Sequence, residues 1–176
     1  MFAQSQVRPT IAEVLSILER RTLTFAAREL NLPARVTDCR PQGVDSLRLR
    51  DVTALVSLGP CLDLYIAYSF AGGLISRITG RFIAELDLPP EDEPNYVQES
   101  ARELVNIIVG NSTAELERDG GALHLSPPSV LIGSRQIPHR PGVEFGIVSL
   151  GFEAGDLDIA CLGPQHLFDS ALNYIG

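Results

Sequence analysis

Glu103 and Asn106 stand three residues apart in a stretch, Tyr96 to Glu117, whose apolar positions recur at helical spacing. Residues i and i+3 of a helix are surface neighbours, so a carboxylate and an amide would be presented side by side. Stepping at about 100° per residue puts Val97, Ala101, Leu104, Val105 and Ile108 on one side. Glu99, Glu103, Asn106, Gly110 and Thr113 fall opposite, within a stripe roughly 80° wide. The apolar side must face a core, and the stripe must face solvent or a partner. Asn is neutral at every useful pH; its carbonyl accepts a bond from water and its NH₂ donates one. It is no practical base. It can orient a water for in-line attack where phosphoryl transfer depends on placement more than on proton removal. The adjacent Glu can pair with a lysine or arginine of a partner and fix the docking. Gly110, one turn on, removes a side chain where another backbone can approach. An exposed E-x-x-N is also common on solvated helices, so the pair acquires meaning only from its context.

The elements that position this stripe are legible in part. Thr10 can cap a helix carrying Ile11, Val14, Leu15 and Leu18 at helical spacing, continuing to Leu30 and stopped by Leu32-Pro33. From there to Leu49 no strand is assignable. Val52 to Leu58 reads as a strand, Gly59-Pro60 as a turn, and Leu62 to Tyr68 as the return strand. Leu74, Ile75 and Ile78 give a short helix. Asp87 to Asn95, with three prolines, reads as a linker. The long helix then runs from about Pro94 to Glu117 and ends at Asp119-Gly120-Gly121. Ala122 to Leu125 and Val130 to Ile132 read as strands around Pro127-Pro128, and Gly133 to Gly142 as a loop. Phe145 to Phe152 and Leu157 to Leu162 form a second hairpin, followed by a short helix from Pro164 to about Tyr174. Asn111, about 120° from the stripe centre, is expected at the core boundary as a structural amide.

The two hairpins echo each other. Leu55-Val56-Ser57-Leu58-Gly59 matches Ile147-Val148-Ser149-Leu150-Gly151, and Asp63-Leu64-Tyr65-Ile66-Ala67 matches Asp156-Leu157-Asp158-Ile159-Ala160. The expected fold is α+β: pseudo-duplicated helix–hairpin–helix units forming one antiparallel-rich sheet covered by two long helices. A single domain spans 1–176, with an N-terminal half at about 10–85, a linker at about 86–95 and a C-terminal half at about 96–176. Counterparts of Glu103 and Asn106 in the first helix are the apolar Ile11 and Val14, so any chemistry is one-sided.

Composition excludes several classes. The net charge is −8, with 14 basic and 22 acidic residues and no basic run, which argues against nucleic acid and against anionic membrane surfaces. Apolar residues make up 45%, as in a folded chain, and no stretch approaches the roughly 20 apolar residues of a membrane span. Met1 to Arg8 is polar and does not read as a signal peptide, so a cytoplasmic protein is expected. Cys39, Cys61 and Cys161 lack metal-ligand spacing and read as reduced thiols; His124, His139 and His166 are scattered. There is no phosphate loop and no nucleophile–base pair.

With these elements around it, Glu103-Leu104-Val105-Asn106-Ile107-Ile108-Val109-Gly110-Asn111, followed by Leu125-Ser126-Pro127-Pro128-Ser129-Val130-Leu131-Ile132-Gly133, resembles the chemotaxis phosphatases CheX, CheC and FliY, CheX most of all. The resemblance is close over about Tyr96 to Gly133 and one of layout elsewhere. It departs from the family pattern at Glu99, where Asp or Ser is usual, and in the slightly short spacing to Pro127 and Pro128. It implies a phosphatase for the aspartyl phosphate of a CheY-like receiver. Glu103 would bridge to a receiver lysine and Asn106 would reach the phosphate, with Glu99 and Gly110 contacting the partner. It further implies no cofactor of its own, Mg²⁺ supplied by the receiver, and a homodimer formed through sheet edges. Two alternatives stand beside it: a non-catalytic module that binds a receiver or a flagellar motor component, and a small-molecule sensor carrying the motif by chance.

Overall fold

The first helix, α1 (Ile11–Arg28), starts where Thr10 caps it. In this computed structural model, which describes residues 8–84, 86–117 and 121–176, the Thr10 hydroxyl accepts from the Glu13 N–H (3.2 Å). The Glu13 carboxylate accepts from the Thr10 N–H (2.8 Å), completing a capping box. Residues 1–7, and Asp119-Gly120 of the expected helix stop, lie outside the described residues.

Among the described residues nine strands and two more α-helices follow: β1 (Ala34–Arg40), β2 (Ser46–Leu49), β3 (Val52–Pro60), β4 (Leu64–Phe70), α2 (Gly72–Ile83), α3 (Glu93–Leu116), β5 (Leu123–Leu125), β6 (Ser129–Ile132), β7 (Arg135–Pro138), β8 (Glu144–Phe152) and β9 (Gly155–Gly163). The main sheet is antiparallel throughout, in the order β1-β8-β9-β4-β3, with β5 and β6 both pairing along the far side of β3. At its centre Ala67 stands directly opposite Ala160, and these are matched positions of the two echoed segments. The outer strands are exchanged: β1 flanks the hairpin of the second half, and β5 and β6 flank that of the first.

The sheet carries a core on each face because its strands alternate. Leu64, Ile66, Tyr68 and Phe70 of β4 point to the helix side, where they meet Leu15 and Leu18 of α1, Leu74 and Ile78 of α2, and Leu104, Val105 and Ile108 of α3. Each such fully buried side chain contributes roughly 1.5–3 kcal/mol relative to exposure. α1 can lie close because β8 offers Gly146 beneath it; a Cβ there would collide with the Ile11 side chain. The other face is covered by the β2–β7 ribbon and the C-terminal tail, with Leu47, Ile137, Phe145, Leu162 and Phe168 buried between. On that face a polar row, with Thr53, Ser69 and Asp158 buried and Ser149 partly covered, crosses four strands. Arg50 closes it, its Nε donating to Asp158 Oδ2 (2.7 Å), while Ser149 Oγ donates to Oδ1 (2.6 Å).

Several expectations are corrected. The unassigned segment before Leu49 holds β1 and β2, and the loop expected from Gly133 to Gly142 contains β7, paired with β2. Gly59 and Pro60 continue β3 and pair with His124 and Leu123; the turn comes later, with Asp63 at φ 52°. The linker is shorter than expected, because Pro94 is tolerated in the first turn of a helix that already begins at Glu93. The C-terminal helix is absent. One 3₁₀ turn, Gln165–Leu167, is followed by a loop in which the Asp169 carboxylate takes the N–H groups of Ala171 and Asn173 (2.9 Å each).

Candidate functional site

α3 is held by its apolar side. Ala101, Leu104, Val105, Ile108 and Val109 are buried against the sheet and α1, and Val97 is partly buried. At its C-terminal end Glu115 ties it to α1 by ion pairs with Arg20 and Arg21. The Arg21 bond, aided by Arg20, holds the Glu115 carboxyl below its ordinary range. The Glu117 carboxylate accepts the Leu123 N–H (3.2 Å), which fixes the start of β5 relative to the helix.

The opposite side of α3 carries the predicted stripe. Glu99, Glu103 and Asn106 are exposed; Gly110 and Thr113 are partly covered. Glu99, Arg102, Glu103 and Asn106 form one wall of a groove of about 410 Å³, and Leu125, Ser126, Pro127 and Pro128 form the other. The helix thus supplies the acid and the amide, and the β5–β6 connection supplies an apolar, proline-stiffened wall facing them. Gly110 lies one turn beyond the groove lining, where a Cβ would meet nothing within 4 Å.

One predicted placement changes and one residue gains a neighbour. Glu99 stays open to solvent, 71% exposed, and carries an i,i+3 ion pair in which Arg102 Nη1 donates to its Oε1. Arg102 escaped the sequence reading, although its i,i+3 spacing from Glu99 was visible there. Asn111 is exposed and not at the core boundary. It lines a shallow groove between α1 and α3 with Arg20, Arg21, Thr24 and Arg28. Ser126 was also missed as a site residue; only its position before two prolines marks it. A larger cleft of about 780 Å³ opens elsewhere, at the start of α1 between Ile11, Leu64, Val143 and Phe145, and carries no Glu–Asn pair. Among the described residues no three His, Cys, Asp or Glu side chains converge to hold a metal.

No curated protein matches the sequence. The fold is similar to that of a chemotaxis protein CheX from Desulfovibrio desulfuricans, with TM-score 0.72 and 16% identity over 86% of this chain and 99% of that one. It is also similar to a CheC-like superfamily protein from Shewanella sp. PV-4, with TM-score 0.70 and 21% identity over 84% and 95%. A third similar structure is the CheX–CheY–BeF₃–Mg²⁺ complex from Borrelia burgdorferi, with TM-score 0.65 and 16% identity over 85% and 96%. The model of the family described as chemotaxis phosphatase CheX matches residues 52–149, which include α3, both walls of the groove and strands β3 and β4. Matched over more than half of its length, the chain belongs to the CheX family of chemotaxis phosphatases.

Proposed function

We propose that this protein hydrolyses the aspartyl phosphate of a CheY-like receiver domain, with Glu103 and Asn106 inserted at the receiver's active site. The observation that carries the reading is the exposed Glu–Asn pair on a firmly seated helix, facing a proline wall across an open groove. Among the described residues no basic side chain forms an ion pair with the exposed Glu103, which is placed to meet a receiver lysine. The Asn106 carbonyl accepts a hydrogen bond from the attacking water and steers the water's oxygen in line with the scissile P–O bond. That bond breaks with its electron pair going to the receiver's aspartate, the water's oxygen joins phosphorus, and the released proton leaves with inorganic phosphate. The protein brings no metal to this step; Mg²⁺ belongs to the receiver, in keeping with the BeF₃–Mg²⁺ complex of the Borrelia relative.

The same reading places the protein in the cytoplasm with its receiver; among the described residues no helix is long and apolar enough to cross a membrane. It also includes a homodimer. β5 and β6 form an outer edge of the sheet, and Ile132 there is 64% exposed, which favours pairing with a second copy.

The test is decay of a phosphorylated CheY-type receiver with and without the protein. Asn106→Ala shortens an exposed side chain and opens no core cavity, so folding and binding persist while turnover falls by about 10² or more. Glu103→Lys sets two cations against each other and weakens docking itself. Turnover by Asn106→Ala at the parental rate would exclude Asn106 as the catalytic amide, and retained binding without turnover in the parent would mark a non-catalytic receiver-binding module.

A further inference from the structure

Between β5 and β6 the chain leaves the ladder. Leu125 pairs with Leu58 and Ser129 with Leu55, so Val56 and Ser57 of β3 face Ser126, Pro127 and Pro128. The two prolines have no N–H to give. Ser126 substitutes for a strand here. Its N–H donates to the Ser57 carbonyl (3.0 Å), and its hydroxyl accepts the Ser57 N–H (2.8 Å). Both ladder groups of Ser57 therefore end on one residue, and the connection is pinned to the sheet at a single point just before the proline pair. That pair stands across the groove from Glu103 and Asn106.

We infer that Ser126 is a positioning residue of the docking groove: by gripping Ser57 it fixes the proline wall against the Glu–Asn helix and sets the width into which the receiver fits. The inference rests on the receiver-docking reading above. Ser126 touches no reacting atom in this arrangement; it acts through Pro127 and Pro128. Removing its hydroxyl leaves the Ser57 N–H without its acceptor and frees the wall to shift, which affects docking rather than the chemical step. A side chain that merely stabilises the fold behaves differently. Thr22 provides that comparison: it is buried in α1, bonded to the Leu18 carbonyl (2.6 Å) and the Tyr68 hydroxyl (2.9 Å), and does not line the groove.

The experiment measures binding of a CheY-type receiver activated with beryllofluoride and Mg²⁺, together with thermal melts and turnover of the phosphorylated receiver. Ser126→Ala is expected to weaken binding roughly threefold to tenfold, the scale of one lost hydrogen bond. Its kcat at saturating receiver stays within about twofold of the parent, so the loss falls on KM. Ser126→Thr, which keeps the hydroxyl, restores affinity. Thr22→Val lowers Tm and leaves Kd at the parental value. If Ser126→Ala does not fold, Ser126→Cys, whose thiol is a weak acceptor, carries the same test. Unchanged Kd and KM in a folded Ser126→Ala or Ser126→Cys protein would overturn the inference while leaving the Glu–Asn reading intact. A parent that binds no receiver would overturn that reading first, before any variant is made, and this inference with it.

Discussion

Gly110 is a helix residue that the fold does not require. It lies inside α3, well short of the Leu116 end, in helical conformation, and an added Cβ would meet nothing within 4 Å. A glycine in a helix interior costs about 1 kcal/mol relative to alanine, through backbone freedom lost on folding. Gly110→Ala should therefore stabilise the protein by about 1 kcal/mol and raise Tm by about 2–4 °C for a chain of this size. If Gly110 is kept bare so that the receiver's backbone can close over the stripe beyond Asn106, the new methyl holds the partner off. Displacement of reacting groups by about 1 Å is costly, and a loss of about tenfold in receiver affinity or kcat/KM is expected. Stability and docking would then move in opposite directions. Gly80, near the end of α2, supplies the control, since a Cβ there is equally unobstructed and Gly80→Ala should stabilise without touching docking. Melting curves and receiver titrations of the two variants suffice. A Gly110→Ala protein that is more stable and docks as well as the parent would refute the argument and leave Gly110 as an unoptimised helix position.

The parent should scatter light as a dimer at micromolar concentration, and Ile132→Lys, which places a charge on the exposed β6 edge, should shift it to monomer. A thiol reagent should modify exposed Cys39 and, more slowly, half-covered Cys61 in the native protein; it should reach Cys161 only on unfolding, since burial both shields that thiol and pushes its pKa well up. The Glu115 tie should weaken in acid. Its folded carboxyl is held below the ordinary value of 4.5, so the stabilisation is complete above that value and is lost as pH falls through the depressed one. Acid melts should show a steeper fall below about pH 4.5 in the parent than in Glu115→Gln.

The parts of this molecule that show in its sequence are the one-sided helices and the apolar central hairpins. α3 was legible because Ala101, Leu104, Val105 and Ile108 repeat at helical spacing and must be buried together. The β3–β4 and β8–β9 hairpins were legible from their alternation and from each other. β1 was not: six of its seven residues are exposed, and only pairing with β8, more than a hundred residues away, makes it a strand. β2 and β7 are four residues each and define each other, so neither carries a pattern alone. The C-terminal segment has helical spacing in Leu167, Phe168 and Leu172, but the Asp169 carboxylate captures the N–H groups that a helix would need. At the site, the stripe followed from angle alone, whereas Arg102's hold on Glu99 and Ser126's grip on Ser57 depend on which side chains meet across space.

The exchange of outer strands has a consequence for how the chain folds. Each half's hairpin is flanked by a strand drawn from the other half, so neither half owns a complete sheet. Cut within the segment at 86–95, the chain should give two fragments that remain open and sticky when alone, and that complement each other when mixed. The intact chain should lose its structure in one cooperative step, with no half-folded plateau in denaturant. Its refolding should be slow for its length, since Ala34 cannot find Phe152 until nearly the whole chain has been made and collapsed.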